Sequence, residues 1–107
     1  MKPIVDEVAR KLRDALRESM DDFEGLYVFG SQVRGDATED SDVDIVVILG
    51  EDYIFWPKKF HDIFSKMLCD YYEKIELDIR TKTWESLKWN PVFFNEVVNN
   101  GVFYGRV

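Results

Sequence analysis

Apolar residues recur along this chain with two periods, and the switches between them lay out its elements. Ile4, Val5, Val8, Leu12, Leu16 and Met20 fall at helical spacing with charge on the opposite side. Ile4–Met20 is therefore predicted as an amphipathic helix, with Pro3 suited to its first turn. "MDDFEG" breaks the pattern, and Gly25 opens a short strand over Leu26–Phe29. Ser31–Arg34 reads as one helical turn, with Ser31 as N-cap and Gly35 as its left-handed stop. Val43–Leu49 is apolar except at Asp44, which predicts a strand at least partly covered on both faces. Phe55–Tyr72 predicts a second amphipathic helix, with Trp56, Phe60, Ile63, Phe64, Met67, Leu68 and Tyr71 on one side. Ile75–Thr83 alternates as a third strand, with Ile75, Leu77 and Ile79 facing the core. "NPVFFNEVVNNG" reads as a third helix, with Asn90 as N-cap, Pro91 first and Gly101 past its end. The order helix, strand, strand, helix, strand, helix predicts an α/β (α+β) fold. Its mixed sheet has three or more strands, with helices packed against it.

Composition narrows the setting. The 107 residues are 46% hydrophobic and 33% charged, which suits one folded domain over 1–107 and excludes disorder. No apolar run approaches the ~18 residues of a membrane span, and the charged N-terminus lacks the apolar stretch of a signal peptide. Cys69 has no second cysteine to pair with, which points to a reducing, cytoplasmic location. The residue itself reads as a small core side chain. A net charge of −7 argues against a surface that tracks a nucleic-acid backbone. It leaves open a nucleotide whose charge is carried by a metal.

The charge is concentrated where it is least comfortable. Asp36, Glu39, Asp40, Asp42 and Asp44 crowd together immediately before the apolar run Ile45–Leu49. Such carboxylates repel, and more strongly beside a low-dielectric core. Asp42 and Asp44 are two apart at the mouth of a strand, so they leave the same face. Paired carboxylates of this kind suit a hard divalent cation such as Mg²⁺, which commonly shares its oxygen ligands with phosphates. Upstream, Gly30 and Ser31 lie where a strand gives way to a helical turn whose free amides can hold phosphate oxygens. An anion cradle and a cation cradle one short loop apart are what a metal–triphosphate requires. Asp36, Glu39 and Asp40 read as solvated loop charges. An EF-hand register over Asp40, Asp42, Asp44 and Glu51 fails, because it would place Ile45 where the calcium loop needs glycine and run through "IVVIL".

The wording "GSQVRGDATEDSDVDIVVIL", with Gly30-Ser31, Arg34-Gly35, Ser41 and Asp42-Val43-Asp44, resembles the minimal nucleotidyltransferases of the DNA polymerase beta-like superfamily. The resemblance implies a nucleoside triphosphate such as ATP, Mg²⁺, and nucleotidyl transfer with loss of pyrophosphate. It assigns Gly30, Ser31 and Arg34 to the nucleotide, with Asp36 as the alternative partner for Arg34. It assigns Asp42 and Asp44 to metal and catalysis, with a third carboxylate on a later strand. In "YEKIELDIRTKTW", Glu76 and Asp78 share the face opposite the core, and period alone does not choose between them. Asp78 is preferred as the deeper position and the shorter, stiffer side chain; pairing to Arg80 or Lys82 is its structural alternative.

Small nucleotidyltransferases of this type often accompany a HEPN-type partner, frequently a toxic ribonuclease. They resemble antitoxins that attach AMP to the partner or sequester it. Transfer to a small molecule is the further alternative, though it ordinarily uses a second domain. The aromatic residues Tyr53, Phe55, Trp56, Trp84, Trp89, Phe93, Phe94, Phe103 and Tyr104 exceed what a small core readily absorbs. They mark a partner surface; the alternative is that they fill a well-packed core or a homodimer interface.

Overall fold

The computed structural model describes residues 1–38 and 41–106; Glu39, Asp40 and Val107 lie outside the described residues. Helix α1 spans Pro3–Ser19, with Pro3 in its first turn and Val5, Val8, Leu12 and Leu16 on its buried face. Strand β1 spans Phe23–Phe29. It starts earlier than the sequence pattern predicts, because Phe23 enters the core and Gly25 lies inside the strand at a register shift. The turn α2 covers Ser31–Arg34, and β2 covers Val43–Leu49, both with the predicted bounds.

Helix α3 spans Lys58–Tyr71. Pro57 stops it from beginning at Phe55, which is left exposed. Phe60, Phe64, Met67 and Tyr71 are buried, whereas Leu68 at the edge of the stripe is half exposed. Cys69 is exposed, contrary to its reading as a core residue, because it falls on the solvent side of this helix. Strand β3 is Leu77–Lys82, shorter than the predicted Ile75–Thr83. Ile75, Leu77 and Ile79 do face the core, but only partly buried, since β3 is an edge strand.

Beyond β3 the chain differs from the sequence pattern. A short helix α4, Trp84–Lys88, follows a capping box in which the Thr83 and Ser86 side chains each accept the other's backbone amide. The third predicted helix divides into α5, Pro91–Phe94, and a π turn, Asn95–Asn99. Asn90 does cap α5, accepting the Phe93 amide at 3.1 Å. A fourth strand, β4, spans Val102–Gly105.

The sheet runs β3-β2-β1-β4. β1 is antiparallel to β2 and to β4, while β2 and β3 are parallel, joined by the α3 crossover. Successive side chains of β1 and β2 point to opposite faces, and both faces are covered. Leu26, Val28, Val43, Ile45 and Val47 pack with α1 and α3. Tyr27, Phe29, Val46 and Ile48 pack with Leu87, Val97, Trp84, Phe93 and Phe94 from the C-terminal turns. Two tyrosines tie α1 in place: Tyr71 Oη donates to Glu7 and Tyr104 Oη to Asp6, both at 2.7 Å. No helix among the described residues is long and apolar enough to cross a membrane.

Leu12 has no exposed surface. Leu12→Ala is expected to destabilise the fold by about 2–5 kcal/mol, and Cys69→Ala by less than about 0.5 kcal/mol, in urea unfolding. Equal midpoints for the two variants would contradict this placement of the core.

Candidate active site

Phe29, the last residue of β1, is the antiparallel partner of Asp44 in β2. The turn after β1 is therefore held against the head of β2. Gly30 has φ 81° and ψ −152°, and a Cβ added there would lie 2.5 Å from Asp44 Oδ2. Only glycine lets the backbone approach this carboxylate so closely. Gly30, not Ser31, is the N-cap of α2; Ser31 is the first residue of the turn, and no side chain caps it. Gly35 closes the turn in the left-handed conformation that its position predicts, with φ 85° and ψ 8°. Among the described residues the Ser31 and Gln32 amides donate to no backbone carbonyl, as expected for the first turn of a helix.

The carboxylates stand in two ranks. Asp44 of β2 and Asp78 of β3 are direct partners in the parallel ladder. One rank outward, the Val43 amide donates to the Glu76 carbonyl at 2.8 Å, which sets Glu76 beside Asp42. Burial pushes the Asp44 carboxyl up from the ordinary aspartate range. The charges of Asp78 and Asp42 push it further, against the lowering effect of Arg80 and Arg34. The Glu76 carboxyl is raised mainly by the charge of Asp42 and by hydrogen bonding to it. Asp42 itself is exposed and Asp44 half-buried.

Two arginines answer this negative charge. Arg80 Nη2 lies 3.2 Å from Asp78 Oδ2, and its guanidinium sits 5.8 Å from the centre of the Phe93 ring. Arg34 reaches Asp36 with Nε at 3.4 Å and Glu96 with Nη1 at 2.5 Å. Among the described residues no three His, Cys, Asp or Glu side chains converge as a ready metal cluster. The donor set nevertheless fits Mg²⁺. Asp42, Asp44 and Asp78 offer hard oxygens on one face, and the half-exposed Asp78–Arg80 pair, worth about 0–1 kcal/mol, is easily exchanged.

The structure thus brings Gly30, Asp44 and Asp78 together, with Asp42 one rank out and Ser31 and Arg34 on the adjoining turn. Sequence reasoning missed three contributors. Gln32, a buried polar residue, ties α2 to the loop before Asp42 by donating to the Ser41 carbonyl at 3.3 Å. Arg80 shares the Asp78 face by strand alternation, a signal legible in the sequence but read there only as a surface pair. Glu96 is distant in sequence and gave no signal. A cavity of about 320 Å³, lined by Trp56, His61, Phe64, Leu68, Leu77 and Asp78, opens between α3 and the edge strand β3. A larger one, about 460 Å³, lies at the far end of the sheet around Glu51, Trp84 and Trp89 and touches none of the motif residues.

One carboxylate on each of two adjacent strands, Asp44 and Asp78, stands beside a glycine turn pressed against the first of them. The chain belongs to the nucleotidyltransferase domain family, whose profile matches residues 9–104. It is 27% identical over 103 residues to a Methanocaldococcus jannaschii protein named "Putative protein adenylyltransferase MJ0604", covering 94% of this chain and 90% of that one. Its fold is similar to that in a crystal structure of a toxin–antitoxin with AMP-PNP, with TM-score 0.63 and 21% identity over 91% of this chain and 73% of the other. It is also similar to that in the complex of a tri-AMPylated Shewanella oneidensis HEPN toxin with its MNT antitoxin. There the TM-score is 0.59 and the identity 19%, over 94% and 72% of the two chains. The resemblance drawn from the motif is thereby borne out for family and fold, and the chain is a nucleotidyltransferase.

Two predictions follow from this geometry. The raised native pKa of Asp44 means that its ionised form costs stability. The cost is absent below the ordinary value of 3.8 and complete once pH exceeds the raised native value. Asp44→Asn should therefore raise the melting temperature at pH 7, with the gain shrinking toward pH 4. A variant that melts lower than the native chain at pH 7 would contradict this. Gly30→Ala must strain φ and displace the Asp44 carboxylate, and should cost roughly 1–3 kcal/mol in chemical denaturation. An unchanged denaturation midpoint would show that the turn has room to give.

Proposed function

We propose that this chain, as a single nucleotidyltransferase domain over 1–107, transfers AMP from ATP to a hydroxyl of a HEPN-type protein partner, and so acts as an antitoxin. The observation that carries the reading is the side-by-side pairing of Asp44 and Asp78 on β2 and β3, with Gly30 against Asp44. The name of the Methanocaldococcus relative and the AMPylated toxin in a similar structure support protein as the acceptor.

In this reading Gly30 and Ser31 hold the outer phosphates through backbone amides and the Ser31 hydroxyl, and Arg34 adds positive charge beside them. Asp42, Asp44 and Asp78 would hold Mg²⁺, which neutralises the triphosphate and the pyrophosphate that leaves. Asp78 lies on the edge strand of the sheet, where an acceptor can approach. It takes the proton from the acceptor hydroxyl as that oxygen bonds to the α-phosphorus. The bond from the α-phosphorus to the bridging oxygen breaks, pyrophosphate departs, and Asp78 returns its proton to solvent. Positioning and charge neutralisation supply most of the acceleration in phosphoryl-type transfers.

A second reading, sequestration of the partner without chemistry, is favoured by apolar side chains left in solvent. Ile54, Phe55, Trp89 and Val92 are each at least 80% exposed. Transfer to a small molecule has no comparable observation behind it.

The test is to co-express the chain with the product of its neighbouring gene and weigh the partner by mass spectrometry. The native chain should add one or more AMP units to a partner tyrosine, serine or threonine. Asp42→Asn with Asp44→Asn should abolish both the modification and Mg²⁺-dependent ATP binding. Asp78→Asn should lose about a hundredfold or more in transfer rate while keeping much of the ATP affinity. A double variant that still neutralises the partner without modifying it would establish sequestration instead. A fully active Asp78→Asn beside an inactive Glu76→Gln would move the proton-accepting role to Glu76.

A further inference from the structure

Glu96 belongs to no part of the recognised motif, yet its carboxylate reaches the arginine of that motif across 62 positions of sequence. Its placement is built by the fold. The π turn Asn95–Asn99 is anchored by Val97, which is fully buried against the second face of the sheet. The Asn100 amide donates to the Asn95 carbonyl at 3.2 Å, and the Gly101 amide donates to the Val97 carbonyl at 3.0 Å. These bonds fix the backbone on either side of Glu96. π turns of this kind occur frequently at functional sites, where the wider spacing redirects a side chain.

The division of the Arg34 guanidinium shows what the contact does. Asp36 takes Nε and Glu96 takes Nη1, while Nη2 has no partner among the described residues. A guanidinium is a planar fork of five donors. The two carboxylates hold the guanidinium from opposite edges, at Nε and at Nη1, which fixes its plane and leaves the Nη2 amino group between them available for an anion. Arg34 ends the short turn whose N-cap, Gly30, is pressed against the Asp44 carboxylate, so the free Nη2 belongs to the same end of the sheet. Unheld, a half-exposed arginine samples many rotamers, and ordering it on binding a ligand costs side-chain entropy.

We propose that Glu96 is a positioning residue: from the π turn it pre-orders Arg34 so that the free Nη2 amino group of the guanidinium meets the outer phosphates of the nucleoside triphosphate. The proposal rests on the nucleotidyl-transfer reading and on the assignment of Arg34 to the nucleotide. It has an opposite in sign. If Glu96 merely neutralised Arg34, it would compete with the triphosphate, and its removal would tighten binding.

The test is calorimetric titration of the full chain with Mg²⁺-ATP and, separately, with AMP, which lacks the outer phosphates. Glu96→Gln should weaken ATP about three- to tenfold and leave AMP unchanged. Glu96→Asp should recover part of the loss. The exchange Arg34→Glu with Glu96→Arg keeps the ion pair but moves the cation to the π turn, so it should keep the melting temperature without restoring ATP affinity. Native or tighter ATP binding by Glu96→Gln, with weakened binding by Arg34→Ala, would overturn the positioning role and leave Arg34 as a nucleotide ligand. Native ATP affinity in Arg34→Ala would remove Arg34 from the site, and this proposal with it. Equal weakening of ATP and AMP together with a lower melting temperature would show a structural contact only, and would also overturn it.

Discussion

A charged side chain at the head of a strand buried on both faces is the constraint around which this molecule is arranged. Val43, Ile45, Val46, Val47, Ile48 and Leu49 have essentially no exposed surface, and Asp44 stands among them. A carboxylate deep in that strand would lose its hydration without compensation. At its second position Asp44 keeps partial access to water. Burial there, and then repulsion from Asp78 and Asp42, raise its proton affinity, while Arg80 and Arg34 oppose the rise. The site is held in tension rather than relaxed. That is the usual electrostatic state of a place waiting for a ligand of opposite charge.

The parallel pairing of β2 with β3 makes this crowding possible. A hairpin would have presented β3 in the opposite sense and in another register. The α3 crossover returns the chain parallel to β2, so that residues 42, 44, 76 and 78 align in two ranks on one face. The packing that holds this register lies on the other face, where Leu77 and Ile79 meet α3. A residue on one side of β3 therefore positions its neighbour on the other. Gln32 does the same for the glycine turn, spending its buried amide on the loop carbonyl of Ser41.

The C-terminal third contributes more to the site than its sequence pattern suggests. It covers the second face of the sheet through Leu87, Phe93, Phe94 and Val97. It also delivers Glu96 to Arg34. Part of the aromatic excess is consumed there: Tyr27 packs edge-on against Trp84, and Phe29 against Phe93. Tyr104 is buried against α1, whereas Trp89 and Phe55 stay in solvent, so the aromatic residues divide between core and surface.

Local chemistry determined whatever depends on spacing within one element. The bounds of α2 and β2, the left-handed Gly35, the Asn90 cap and the shared face of Asp42 and Asp44 follow from residue type and period alone. The family was legible for the same reason, since its motif is a local strand–turn–loop–strand string. Tertiary structure decided what depends on partners far apart in sequence. Four residues as β4 carry no period of their own and become a strand only because β1 offers an open edge. Phe23 joined β1 because the core had room for its ring, and Cys69 fell outside because α3 turned it to solvent. The choice between Glu76 and Asp78 as the neighbour of Asp44 was invisible in an alternating strand, where both occupy the same face. It was settled by the register between two strands, and register is fixed by the packing of the opposite face rather than by the residues that need it.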